Sequence, residues 1–249
     1  MLRETTVFGP IFSRRLGSSL GINLLPQQGK ICNFDCVYCE CGWNRDGTGD
    51  TKLPTTADVS AALEAKLKAC VADGTPIDSI TFSGDGEPTL NPQFPAIVDA
   101  VLALRDRYYP SARVSVLSNA TRAGESGIFE ALQKVDNAIL KLDAATDKQA
   151  ALVNRPAAGY HVAHVVRSLK RFEGKFVLQT MFLKGPGWAT EQWVAAWMDL
   201  VREVKPREIM VYTIDRETPM AGLQKYTAAE MRALVQPLID EGYQIQIKG

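Results

Sequence analysis

Histidine is scarce in this 249-residue chain, which has only His161 and His164. A closed zinc centre would therefore have to be built mainly on thiols. Long apolar runs are missing as well. No stretch reaches about 18 apolar residues, so no membrane-spanning helix is expected. Charge of either sign is not in excess: 28 Lys and Arg stand against 28 Asp and Glu. No global field points to nucleic acid or to an anionic membrane as partner. The opening MLRETTVFGP has an early Arg but no apolar stretch of the signal-peptide kind. A secretory signal is thus not expected, and a cytoplasmic location is. Internal repeats and low-complexity tracts are not found. Five cysteines make an odd number in a chain too large to need staples. That disfavours a disulfide framework and favours reduced thiols, metal ligation or catalysis.

What is present is globular: 46% of residues are hydrophobic and 22% charged. One domain spanning residues 1–249 is expected. Short apolar runs recur, each followed by a helical pattern: 20–25, 79–84, 113–120, 137–144, 176–185 and 208–215. They are rich in Ile, Val, Phe and Thr and read as largely buried strands. Helices fit between them. Residues 55–73 place Val59, Leu63, Leu67, Cys70 and Val71 on one stripe, with Thr55 or Thr56 to cap. Further helices are expected over 92–108, 126–134, 157–172, 189–204 and 228–240. The final YQIQIK alternates and suits an edge strand. Strands alternating with helices argue for parallel βα units. In barrels of such units the chemistry sits at the carboxyl ends of the strands. Polar residues gather there: the cysteines, then SGDGEP, SNAT, KLDA and YTIDRE.

Residues 31–40 read ICNFDCVYCE, and Cys41 follows. Three thiolates in one loop suit a soft metal or an iron–sulfur cluster. The competing reading is zinc, with Cys41 or Cys70 as a fourth ligand. A [4Fe–4S] cluster on Cys32, Cys36 and Cys39 would leave one iron without a protein ligand. A small molecule bearing an amine and a carboxylate can chelate it there. Cys70 falls on the apolar stripe of its helix and is most simply a small core residue.

CNFDCVYC resembles the C-x3-C-x2-C signature of the radical S-adenosylmethionine (SAM) superfamily, including the aromatic Tyr38 before the last cysteine. SGDGEPTLNP after the second apolar run adds to the likeness. The opening FGPIFSRRLGSSLGINLLP resembles that of small iron–sulfur oxidoreductases of this superfamily, related to the wybutosine-forming tRNA enzymes. Phe12 stands there where proline is expected. The resemblance implies an α/β fold, a partial (β/α)6 TIM-like barrel with a parallel sheet and outer helices. It implies a [4Fe–4S] cluster and S-adenosylmethionine as cofactors. It also implies a one-electron reductant such as flavodoxin or ferredoxin. Only Cys41 and Cys70 remain beyond the triplet, so a second cluster is not expected.

The superfamily's Gly-Gly-Glu segment holds the amino group of SAM; here Asp85, Gly86 and Glu87 match it, with Asp in place of the first glycine. Glycine lets backbone approach the ligand, and Glu87 or a carbonyl accepts from the ammonium. Ser118 and Asn119 suit the carboxylate or ribose. Lys141 and Asp143 lie two apart on one side of a strand, where such charges need a partner or a functional pocket. By resemblance the Lys meets the SAM carboxylate and the Asp a ribose hydroxyl or the ammonium; a plain ion pair is the alternative. Gln179, and Tyr212 or Thr213, are weaker candidates for ribose and adenine. Arg14 and Arg15 are candidate anchors of a substrate phosphate or carboxylate, with Asp215 and Arg216 at the same mouth. His161 and His164, three apart on one helical face, are expected to be ordinary surface residues rather than ligands.

The reaction the resemblance implies begins with reduction of the cluster. SAM is then cleaved to methionine and a 5′-deoxyadenosyl radical, which abstracts hydrogen from a substrate. That substrate is a small molecule or an RNA. The alternative is an activase that makes a glycyl radical on a partner protein. A non-catalytic iron–sulfur or zinc protein is the remoter reading.

Overall fold

A computed structural model describes residues 2–13, 16–27, 29–47, 51–184 and 190–249. Arg14 and Arg15 lie outside the described residues. The chain divides into two compact units, one of residues 1–33, 44–118 and 125–138, the other of residues 34–43, 119–124 and 139–249.

In the first unit, β1 (Val7–Ser13) runs antiparallel to β2 (Gly17–Ile22), which is parallel to β3 (Ser79–Phe82), itself parallel to β4 (Arg113–Ser118). Ser19 lies opposite Ser79, and Ser79 opposite Arg113. Leu20, Ile22, Ile80, Phe82, Val114 and Val116 are wholly buried, which accounts for the β-branched and aromatic runs in the sequence. Three helices belong here: α1 (Thr56–Ala72), α2 (Phe94–Tyr108) and α3 (Ser126–Lys134). Thr55 caps α1 as expected: its side chain accepts from the Asp58 amide, while Asp58 accepts from the Thr55 amide. Phe94 of α2 meets Phe82 of β3 edge to face, ring centroids 5.9 Å apart.

In the second unit, β5 (Asn137–Lys141, its first two residues counted with the first unit), β6 (Val177–Met181), β7 (Glu208–Tyr212) and β8 (Ile245–Lys248) run parallel. Four helices accompany them: α4 (Asp147–Val153), α5 (Val162–Lys170), α6 (Glu191–Val204) and α7 (Ala228–Asp240). The amphipathic helix α6 is fixed to the end of β5 by two indoles. Trp197 Nε1 donates to the Leu142 carbonyl (2.9 Å) and Trp193 Nε1 to that of Asp143 (3.3 Å). The terminal alternating segment is β8, parallel to β7.

Several details differ from the sequence reading. Val71 is 51% exposed rather than on the buried stripe. At 3.6 residues per turn it stands about 120° round the helix from Val59. The region 157–172 holds a shorter helix, α5, and His161 is its extended N-cap rather than part of a helical face. Helix α4 and strand β1 were not expected. The signal for α4 was a capping box, with Thr146 and Gln149 exchanging hydrogen bonds with each other's amides.

Candidate cofactor site

In the first unit the site begins at the turn after β3. Gly86 has φ +138°, and a Cβ there would fall 1.9 Å from the Ile31 carbonyl oxygen. Only glycine allows that approach. The gap is small because Ile31 and Gly86 form a parallel bridge: Ile31 N donates to Asp85 O (3.1 Å) and Glu87 N to Ile31 O (3.0 Å). The next residue is Cys32, whose carbonyl accepts from Asn44 Nδ2 at 3.1 Å. The glycine turn therefore fixes where the cysteine segment starts.

Asp85 is wholly buried. Its Oδ2 accepts from the Arg3 amide (2.6 Å) and from Asn23 Nδ2 (3.1 Å), so this carboxylate fastens the N-terminal segment to the turn. Glu87 and Ser118 are brought together. One carboxylate oxygen, Glu87 Oε1, accepts from Thr89 N (3.1 Å), Thr89 Oγ1 (2.6 Å) and Ser118 Oγ (2.9 Å).

In the second unit Cys36 and Tyr38 are buried, Cys39 and Cys41 half-buried. None of the five cysteines is in a disulfide, and Cys70 is a buried core residue of α1 as expected. The segment around Cys36 is held by the end of α4. Asp35 N donates to Asn154 O (2.9 Å) and Val37 N to Val153 O (3.0 Å). Cys39 N donates to Cys36 O (3.1 Å), closing the turn between the two thiols.

Side chains from β5, β7 and α4 converge beside this segment. Tyr38 Oη donates to Asp143 Oδ2 in a short hydrogen bond. Lys141 Nζ donates to Tyr38 Oη (2.9 Å) and Tyr212 Oη (3.0 Å), and lies 3.7 Å from Asp143 Oδ2. Asp143 also accepts from Met181 N (2.9 Å) and Asn154 Nδ2 (2.7 Å). Burial works against the Lys141 ammonium, but Asp143 and then Tyr212 outweigh it and raise its pKa above the ordinary lysine value. This lysine stays protonated. Burial, followed by Asp143, raises the Tyr38 phenol above the ordinary range. Burial also pushes the Cys36 thiol up to about 11, against the pull of Lys141. Taking up a metal there must expel a proton.

The remaining expected residues fall as follows. Gln179 is buried on β6, in register with Lys141. Asn119 closes a tight turn, its Oδ1 accepting from Thr121 N (3.1 Å) and Thr121 Oγ1 (2.7 Å). Asp215 is exposed beyond β7, and its neighbour Arg216 pairs with Glu40 at 2.8 Å, one residue past Cys39. His161 Nδ1 meets Asp147 at 2.8 Å, and its ring packs on His164. The sequence reading missed Asn154, which no motif marks.

The donor set fits an iron–sulfur cluster: three thiols within eight residues, none in a disulfide, the middle one under the pull of the half-buried Lys141 ammonium and beside an amide. Among the described residues no three His, Cys, Asp or Glu side chains converge on a single-ion centre. A cluster does not ask for that, since each thiolate takes its own iron.

The profile of the radical SAM superfamily matches residues 28–196, more than half of the chain. The chain belongs to the radical SAM superfamily. Among curated relatives, a UPF0026 protein of Synechocystis is 31% identical over 86% of this chain and 77% of its own length. A UPF0026 protein of Helicobacter pylori is 28% identical over 84% of this chain and 66% of its own. Among solved structures, a radical SAM methyltransferase from Sphaerobacter thermophilus superposes with a TM-score of 0.72 at 14% identity, over 95% of this chain and 67% of that one. TYW1 with a lysine-pyruvate adduct bound gives 0.64 at 13% identity, over 92% and 76%. SuiB of Streptococcus suis, bound to the precursor peptide SuiA, gives 0.67 at 17% identity. The chain covers 48% of that protein's length, with 92% of its own matched. These likenesses show the fold, the partial TIM-like α/β class that the family resemblance implied. The radical SAM family implies an enzyme that uses SAM and an iron–sulfur cluster. No helix among the described residues is long and apolar enough to cross a membrane.

Proposed function

We propose that Cys32, Cys36 and Cys39 hold a [4Fe–4S] cluster whose fourth iron is left for SAM. When bound, the two groups supply one-electron cleavage of a carbon–sulfur bond and so a carbon radical that takes hydrogen from a substrate. This chain's own residues bind and orient. Gly86 admits close backbone approach, and Glu87 with Ser118 receives the methionyl ammonium. The protonated Lys141, aimed by the hydroxyls of Tyr38 and Tyr212, takes the carboxylate. In this reading Asn119, Gln179 and Tyr212 take the carboxylate, ribose and adenine. Asp143 already accepts three hydrogen bonds and is wholly buried at its carboxylate, so it acts as the post that sets Tyr38 and Lys141.

The observation that carries this reading is the assembly of buried Asp143 and Tyr38 with half-buried Lys141 and Tyr212 beside the middle cysteine of the triplet. Buried charge of that kind is expensive and marks a functional site more often than a structural one. The hydrogen donor is a small molecule or an RNA, and an overall charge of zero favours the small molecule. A glycyl radical made on a partner protein is the alternative. Arg14, Arg15 and Asp215 are the proposed substrate contacts, and a flavodoxin or ferredoxin the electron donor.

Anaerobic reconstitution with iron and sulfide, followed by dithionite and SAM, should yield 5′-deoxyadenosine with the wild type and none with Cys36→Ala. A colourless protein holding one zinc through four thiolates overturns the reading.

A further inference from the structure

Asn154 is a buried polar residue for which the proposed chemistry has so far had no use. It is 2% exposed and caps the C-terminus of α4. Its backbone is held on both sides: N–H donates to Ala150 O (2.8 Å) and C=O accepts from Asp35 N (2.9 Å). With the backbone fixed, the amide head is aimed. Nδ2 lies 2.7 Å from Asp143 Oδ2, 3.4 Å from Cys36 Sγ and 3.3 Å from Tyr38 Oη. A primary amide has two hydrogens. With one serving the carboxylate, the other is left for the sulfur or the phenol. Asp143 accepts on both of its oxygens from other donors, the Met181 amide and Tyr38, so it does not require Asn154 for its own satisfaction.

We propose that Asn154 is a positioning residue that donates an N–H···S hydrogen bond to the Cys36 thiolate and so raises the reduction potential of the cluster. The proposal rests on the reading of Cys36 as an iron ligand. Hydrogen bonds to ligand sulfur are among the levers that set cluster potentials. A donor aimed at the thiolate favours the reduced, more negative state, because it stabilises the added electron. Val153 is the natural control. It is 3% exposed, and its carbonyl accepts from Val37 N, yet its side chain offers no donor.

The test is an EPR-monitored redox titration of the reconstituted wild type, Asn154→Ala and Val153→Ala, each with measured iron and sulfide. Loss of one hydrogen bond to an anion that differs by one electron between states should shift the equilibrium about tenfold towards the oxidised form. That is a midpoint lower by about 59 mV for a one-electron couple. Val153→Ala should keep the wild-type midpoint. An unchanged midpoint in Asn154→Ala, or an equal shift in Val153→Ala, overturns the inference. Should Asn154→Ala not fold, the wild type itself decides. The Fe–Sγ stretching band in resonance Raman spectra should move on exchange into D2O, and a band that stays in place overturns the inference. A cluster of normal content and unshifted potential sinks this inference alone. A wild type that takes up no cluster sinks the proposed function and this inference with it.

Discussion

Replacing Gly86 with Ala tests whether the turn after β3 really seats the cysteine segment. The added methyl would fall 1.9 Å from the Ile31 carbonyl oxygen, a backbone atom that cannot swing aside. The bridge must open, losing Ile31 N→Asp85 O and Glu87 N→Ile31 O. At about 1 kcal/mol for each hydrogen bond, plus about 1–3 kcal/mol for a non-glycine residue at φ +138°, the loss is about 3–5 kcal/mol. Gly74 supplies the comparison: it too has positive φ (+67°), but nothing lies within 4 Å of its would-be Cβ. Gly74→Ala should lose only about 1–2 kcal/mol, the left-handed backbone penalty alone. Urea denaturation of the two metal-free variants and the wild type, with stabilities extrapolated to water, gives the difference. Equal losses in Gly86→Ala and Gly74→Ala would refute the reasoning, because the clash would then contribute nothing. Gly86→Ala should also reconstitute with less iron, since Cys32 directly follows the displaced residue.

Cys36, buried and with its thiol pushed up to about 11, should alkylate with iodoacetamide at pH 8 far more slowly than half-buried Cys39; peptide mass spectrometry against time checks it, and equal rates contradict the burial. The Lys184–Glu230 pair and the Thr227 cap hold Glu230 down to about 2, so its share of stability is present above the unfolded value of about 4.3 and lost as pH falls towards 2. Glu230→Gln should therefore lower Tm at pH 6 but leave it near wild type at pH 2.5. The Leu142 carbonyl accepts from both Trp197 Nε1 and Thr180 Oγ1, each at 2.9 Å. Removing both donors, in Trp197→Phe with Thr180→Val, should therefore destabilise by about 1–3 kcal/mol beyond the sum of the single variants. Only the double variant orphans a buried acceptor.

The parts of this molecule that could be read from its sequence are those governed by short-range rules. Strands β3, β4 and β5 sit in runs of Ile, Val and Leu, and α1 begins at a capping threonine; each is decided by a few neighbouring residues. The cysteine spacing and the glycine turn were legible for the same reason. Strand β1 was not, because it is an antiparallel edge whose residues are only half-buried or exposed, so its apolar pattern is weak. Val71 shows the limit from the other side. Its residue type suited the stripe, but a single step of helical phase turned it to solvent.

Asn154 shows a different limit. Nothing in its local sequence marks it, since an asparagine after a short helix is an ordinary C-cap. Its partners, Cys36 and Asp143, are 118 and 11 residues away. Only the fold brings the amide, the thiol and the carboxylate into one place. The same holds for the meeting of Tyr38, Lys141 and Tyr212, whose hydroxyls and ammonium come from a loop and two strands. A motif can name candidate iron ligands, because it needs only their spacing along the chain. It cannot name the side chains that stand beside them, because such a contact depends on where a distant backbone has been fixed. Here two backbone bonds, Asp35 N→Asn154 O and Val37 N→Val153 O, do that fixing. They tie the cysteine segment to the end of α4 independently of any side chain, which is why the amide of Asn154 can be removed and the sulfur left in place.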